Sequence, residues 1–234
     1  MSYGINKGFF SLSALLLCAS LLFSYLQKPL FKAEDVEAKT SFTVVIDAGH
    51  GGIDAGAIGV NGVLEKELNM IFAETLADIF KENGVDVVFT RTTDALVLKA
   101  GEENAPSKKA CDLKNRAEIA NGIENALLVS IHMNSFPEAR YRGFEVYYSA
   151  NDPESRLYAE RIQSTVKEKY EPESRRQAKS GDNIYLLSHS ENPAVLIEFG
   201  FISNPTDAQK LSDKDYQKKL CFSVFCAIME VKNK

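Results

Sequence analysis

The sequence predicts an α/β fold of three layers, a mostly parallel or mixed central sheet with helices on both faces. Three observations predict it. Short β-branched runs alternate with amphipathic helical segments throughout residues 42–234. Most of those runs are apolar without alternation, the pattern of strands buried on both faces. The first run ends in a glycine-rich turn, Ala48-Gly-His-Gly-Gly52, and in open α/β sheets the carboxyl ends of strands carry the ligand site.

Each element has its own signal. Phe42–Asp47 is a compact β-branched strand running into that turn. From Glu67 to Asn83, Leu68, Ile71, Phe72, Thr75, Leu76, Ile79 and Phe80 form one helical stripe, which Gly84 stops. Val85–Thr90 is the second strand, residues 92–107 form a loop, Leu113–Asn125 is a second helix, and Ala126–Ile131 is a third buried strand. Gly143–Tyr148 alternates and so belongs nearer an edge. Glu154–Tyr170 reads as a helix, Asn183–Leu187 as a short strand and Ala194–Phe199 as another buried strand. The closing helix keeps a 3.6-residue period through Tyr216, Leu220, Val224, Ile228 and Val231.

Composition narrows the partners. The chain has 234 residues, enough for one well-buried core, and its 27 Lys+Arg against 32 Asp+Glu give a net charge of −5. Nucleic acid is excluded as an expected partner, because a phosphate backbone demands clustered cations. Phe9 to Leu26 runs for 18 residues without a charge, a length between a signal-peptide core and a spanning helix. Residues 1–27 are therefore expected to be an export signal or an uncleaved membrane anchor, 28–41 a linker, and 42–234 the globular domain, carried across the membrane by its position after the apolar run. Cys18, Cys111, Cys221 and Cys226 show no metal-binding spacing.

The three histidines are the sparse chemistry. His50 follows the first strand and His132 the third, while Glu198 lies near the end of the last buried strand. These side chains converge if the strands are neighbours. A hydrolytic zinc site takes three His/Asp/Glu ligands and leaves a position open for water. Glu65 and Glu67 both stand at the start of the first helix, where carboxylates are favoured without any metal. Spacing does not choose between them.

The ordered set Val44-Val-Ile-Asp47-Ala-Gly-His50-Gly-Gly, Leu64-Glu65-Lys-Glu-Leu-Asn69, Asn115-Arg116 through Ala120-Asn121, Ser130-Ile-His132-Met-Asn134 and Pro193-Ala-Val-Leu-Ile-Glu198-Phe-Gly-Phe-Ile-Ser-Asn204 resembles the zinc-dependent N-acetylmuramoyl-L-alanine amidases of bacterial cell walls. Short length, an amino-terminal apolar segment and no wall-binding module make it most similar to the spore-cortex and germination branch. The resemblance implies Zn²⁺ held by His50, Glu65 and His132, with Glu198 as the catalytic carboxylate acting on peptidoglycan. It also makes Asp47 a partner for the ligands from behind, and Arg116 and Asn134 candidates for holding substrate, Arg116 through a substrate carboxylate; the plainer readings are turn chemistry for Asp47, an ordinary solvated helix residue for Arg116 and a loop cap for Asn134. His189 is unusual for the family and reads as a loop residue outside catalysis. Residues between Tyr148 and Lys179 hold one helix and a charged loop rather than an inhibitory insertion, so regulation would come from elsewhere, such as the partner proteins that regulate some spore amidases. The alternatives are a zinc peptidase cutting within stem peptides and a non-catalytic wall-binding protein on the same fold. Intact His50, Glu65, His132 and Glu198 disfavour the latter.

Overall fold

A computed structural model describes residues 42–234. The expected anchor at 1–27 and linker at 28–41 lie outside the described residues, and no described helix is long and apolar enough to cross a membrane. The elements in chain order are β1 (Thr43–Ala48), α1 (Glu65–Glu82), β2 (Asp86–Phe89), α2 (Lys108–Asn121), β3 (Ala126–Asn134), β4 (Glu145–Tyr148), α3 (Pro153–Tyr170), β5 (Lys179–Ser180), α4 (Tyr185–Ser188), β6 (Ala194–Phe201), α5 (Pro205–Leu211) and α6 (Lys214–Lys232).

The strands form one six-stranded sheet in the order β2-β1-β3-β6-β4-β5. Neighbours run parallel except β4 against β6. The mixed α/β architecture expected from the sequence is the one observed. β4, expected near an edge, has only the two-residue β5 outside it.

Both faces are covered, which is why the central strands are apolar on successive residues. Val44, Ile46, Leu127, Val129 and Ile197 pack with Phe72 and Leu76 of α1, Ile162 of α3 and Val224 of α6. Val45, Leu128 and Leu196 face the other way, against Ala117 and Ala120 of α2 and Leu186 and Leu187 of α4. On this thinner side the strand register changes character along the sheet. One row across it is Val45 and Leu128; the next is Asp47, Ser130, Leu196 and Tyr147; the next is His132, Glu198 and Glu145. An apolar floor thus becomes a polar one toward the carboxyl edge.

Several elements differ from expectation. β3 runs on to Asn134, so His132 lies inside it rather than after it, and β6 runs on to Phe201. α1 starts at Glu65, where the Glu65 N–H donates to Ala57 O (2.9 Å) and the Glu67 carboxylate accepts from Leu64 N (3.4 Å). α2 starts at Lys108 rather than Leu113, because Ser107 caps it, accepting from Ala110 N at 3.3 Å, and it ends at Asn121 rather than Asn125. The short strand expected over Asn183–Leu187 is instead the single turn α4. Ile184 N bonds Gly181 O (2.8 Å) and Ser188 N bonds Ile184 O (2.9 Å), so local bonding satisfies a backbone that finds no strand to pair with. Short apolar runs do not distinguish the two by period.

Candidate metal and active site

β1 delivers His50 through a turn that only a constrained backbone can make. His50 is in the left-handed region (φ 62°), an uncommon conformation for a residue with a side chain. Two arginines hold the turn. Arg116 Nη2 donates to His50 O (2.6 Å) and Nη1 to Ala48 O (2.7 Å), while Arg91 donates to Ala48 O (2.8 Å) and Gly49 O (3.0 Å). Asn69 Nδ2 adds a bond to Gly49 O at 3.1 Å. Glycine is required twice beside them: a Cβ on Gly49 would fall on the His132 ring, and one on Gly56 (φ 67°) would meet Glu65 Oε2 at 2.5 Å.

Glu65, at the first position of α1, is the point of convergence. Its Oε1 lies 3.1 Å from His50 Nε2 and 2.9 Å from His132 Nδ1, and its Oε2 accepts from Ala57 N at 2.8 Å. The two imidazoles meet edge to face with centroids 5.0 Å apart. Burial alone would raise the Glu65 carboxyl, but the bonds to His132 and His50 outweigh it and hold the group well below the usual carboxylate range. Glu67 is exposed with its carboxylate at the helix start, so of the two carboxylates that spacing left open, Glu65 is the one that lies between the imidazoles.

One donor atom from each of His50, Glu65 and His132 falls within 4.8 Å of the others, so these three residues can hold a metal ion. Two imidazoles and a carboxylate form a donor set that suits a hydrolytic zinc site. Behind His50, Asp54 Oδ2 sits 3.0 Å from Nδ1 and 3.0 Å from Lys109 Nζ.

Glu198 stands beside this cluster. It is the register partner of His132 on β6, and its Oε2 is buried without a hydrogen-bond partner among the described residues. Burial, reinforced by the charges of Glu65 and Glu145, pushes its carboxyl up to about 7 against the opposing pull of His132 and His50. An unsatisfied carboxylate oxygen is costly in a fold unless its site has a use for it.

Asp47 and Arg116 have different places from those expected. Asp47 does not touch either imidazole. It accepts from Thr90 Oγ1 (2.6 Å), Ser130 Oγ (2.7 Å) and Arg116 Nη1 (2.8 Å). Burial opposes its ionisation, but the Arg116 charge and these bonds keep it below its ordinary value. Arg116 is neither a solvated helix residue nor open to a substrate carboxylate. It is 1% exposed, its Nε lies 3.0 Å from both Asp112 oxygens, and its remaining donors go to Asp47, Ala48 and His50. Asp54, not Asp47, is the carboxylate beside the His50 ring. Asn134, at the end of β3, is half-buried and donates to Glu145 Oε2 at 3.0 Å.

His189 is exposed at the end of α4, stacked on Tyr185 with centroids 3.9 Å apart, and its carbonyl accepts from Asn121 at the carboxyl end of α2. That is the edge where β6 begins, opposite the edge that carries His132. Among the described cysteines all are free. Arg91, Asp54 and Glu145 had no signal in the sequence, and Asn69 entered only as the end of a family motif, because each acts through a contact 20 or more residues away or through a loop geometry that spacing does not encode.

The N-acetylmuramoyl-L-alanine amidase family matches residues 44–230. The germination-specific N-acetylmuramoyl-L-alanine amidase of Bacillus subtilis is 34% identical over 186 residues, 80% of this chain and 78% of that protein. Among solved structures, the CwlD amidase of Clostridioides difficile, determined in complex with the GerS lipoprotein, superposes with a TM-score of 0.77 at 33% identity, covering 82% of this chain and 98% of that one. An N-acetylmuramoyl-L-alanine amidase of Clostridium difficile 630 gives a TM-score of 0.71 at 30% identity, covering 83% and 98%. With its fold, its convergent His-Glu-His cluster and these matches together, the chain belongs to the N-acetylmuramoyl-L-alanine amidase family, whose reaction is hydrolysis of the amide bond between N-acetylmuramic acid and L-alanine in peptidoglycan.

Proposed function

We propose that this amidase depends on Zn²⁺ held by His50 Nε2, a Glu65 carboxylate oxygen and His132 Nδ1, with Glu198 as catalytic base and acid. The observation that carries the reading is the convergence of both imidazoles on Glu65 Oε1, with Glu198 in the next strand at the same register. A zinc ion in such a site lowers the pKa of water to about 7 and polarises an amide carbonyl.

The protein's own groups do the rest. Glu198, with one oxygen free of protein partners, accepts a proton from the attacking water and returns it to the departing L-alanine nitrogen. A carboxyl whose affinity for protons is raised toward neutrality suits both halves of that transfer. Arg116 and Arg91 fix the His50 turn, so the imidazole is oriented before any ion arrives.

Spore-cortex remodelling during germination is the favoured setting, supported by the Bacillus subtilis relative. A regulatory protein partner is part of the reading, supported by the lipoprotein bound to the similar Clostridioides difficile amidase. The apolar run from Phe9 to Leu26 supports export with membrane attachment. Digestion of purified peptidoglycan by the metal-loaded chain, with the released peptides sequenced from their amino ends, tests the reaction: L-alanine at that end is expected, and stems cut between later residues would indicate the peptidase instead.

A further inference from the structure

Beyond Glu198, the same sheet row continues to Glu145 on β4, its antiparallel register partner. Glu145 is 4% exposed, and four donors converge on it. Asn134 Nδ2 and the Tyr147 hydroxyl approach Oε2 at 3.0 and 3.5 Å, while Lys179 Nζ approaches Oε1 at 2.9 Å and Arg176 Nη1 bonds the same oxygen.

Two cations for one carboxylate is more than its neutralisation requires. Arg176, three-quarters buried and laid over the Phe201 ring, already satisfies the charge of Glu145. The Lys179 side chain is 53% exposed, and Glu145 is its ion-pair partner among the described residues. An ammonium carries three donors; Lys179 Nζ lies 5.8 Å from the Tyr147 ring centroid, and its half-exposed end leaves a donor beyond the Glu145 bond for a second anion. Both cations belong to the segment at the sheet's outer edge, with Lys179 opposite Tyr147 in the β4–β5 pairing.

We infer that Lys179, with Arg176 and Glu145 fixing the wall around it, is a specificity-determining residue that binds a carboxylate of the stem peptide. This rests on the amidase reading above and names the part of the substrate that the same site recognises. The distance fits. Neighbouring strands lie about 4.8 Å apart, so β5 is about 10 Å across the sheet from Glu198, and an extended peptide covers that in about three residues. A stem held with its first amide at Glu198 and running toward β5 brings the free carboxylates of its second and third residues to Lys179.

The test is calorimetric titration of the full chain carrying Glu198→Gln with a muramoyl tripeptide, in one form with the carboxylates of residues two and three free and in another with both as carboxamides. The acid form should bind about tenfold more tightly, the scale of one charge-assisted hydrogen bond. Adding Lys179→Gln should abolish that preference, and Lys179→Arg should restore most of it. Equal affinity for the two ligands, no measurable binding of either, or a preference that survives Lys179→Gln overturns the subsite. Hydrolysis of the same ligands by the unaltered chain is followed separately, so a preference without hydrolysis contradicts the amidase reading and leaves the subsite supported.

Discussion

His132 and Glu198 occupy the same register position on adjacent parallel strands, so one imidazole and one carboxylate rise from the same face of the sheet, on backbones about 4.8 Å apart. The pairing gives the two residues separate work. Glu65 holds the imidazole from the loop side at 2.9 Å, and Glu198 retains an oxygen with no protein partner.

Replacing Glu198 with Gln keeps the shape and removes the proton acceptor. Zinc content should be unchanged while kcat falls by about 10²–10⁴-fold, the usual contribution of a positioned acid–base group. Turnover by Glu198→Gln at the wild-type rate would remove the residue from the reaction.

Asp54 stands 3.0 Å from His50 Nδ1 on the side away from Glu65. Carboxylates placed behind a metal-binding imidazole fix its ring and raise its basicity. Asp54→Ala should weaken zinc affinity by about 10–100-fold in a chelator competition, with the circular dichroism spectrum unchanged; an unaltered dissociation constant would show that the His50 turn alone orients the ring.

Asp47 and Arg116 form a buried pair, and losing one partner strands the other. Asp47→Asn should cost about 3–5 kcal/mol of unfolding free energy at neutral pH. The folded carboxyl titrates below its ordinary value, so its contribution is present above the unfolded pKa of about 3.9 and disappears as pH falls through the lower folded value. Denaturant titrations should show the gap between wild type and variant closing below about pH 4; a constant gap would mean that the charge is not what stabilises.

The Glu198 carboxyl is pushed up to about 7 without metal, by burial first and then by Glu65 and Glu145. A base works when ionised, so kcat/KM should rise with pH along an acid limb. A nearby dication favours the carboxylate, which places the limb in the zinc enzyme below that value. Removing the Glu145 charge with Glu145→Gln should move the limb lower still. A pH–rate profile whose acid limb stays fixed in that variant would detach Glu145 from the reacting carboxylate.

Much of this site could be read from the chain because it follows strand ends. His50, His132 and Glu198 each stand at or near the carboxyl end of a run of apolar residues, and an α/β sheet sends such ends to one edge. What could not be read was long-range pairing. Arg116 looked like an ordinary helix residue because nothing in its neighbourhood announces that Asp47, 69 positions earlier, awaits it inside the sheet. Ser130, a lone hydroxyl in an apolar strand, was the visible trace of that network. The turn at Tyr185–Ser188 reads as a strand for a related reason: Ile184 to Leu187, four apolar or aromatic residues in a row, carry no period, and the absence of a strand partner decides.

Metal analysis of the purified chain and of His132→Ala, combined with mass spectrometry of digested peptidoglycan, tests the central claim most directly. The account predicts about one zinc per native chain, a large loss of zinc in the variant, and products that are glycan bearing bare muramic acid together with stem peptides beginning at L-alanine. Unchanged zinc in His132→Ala, or muramic acid that keeps its alanine while the stems are shortened, would contradict it.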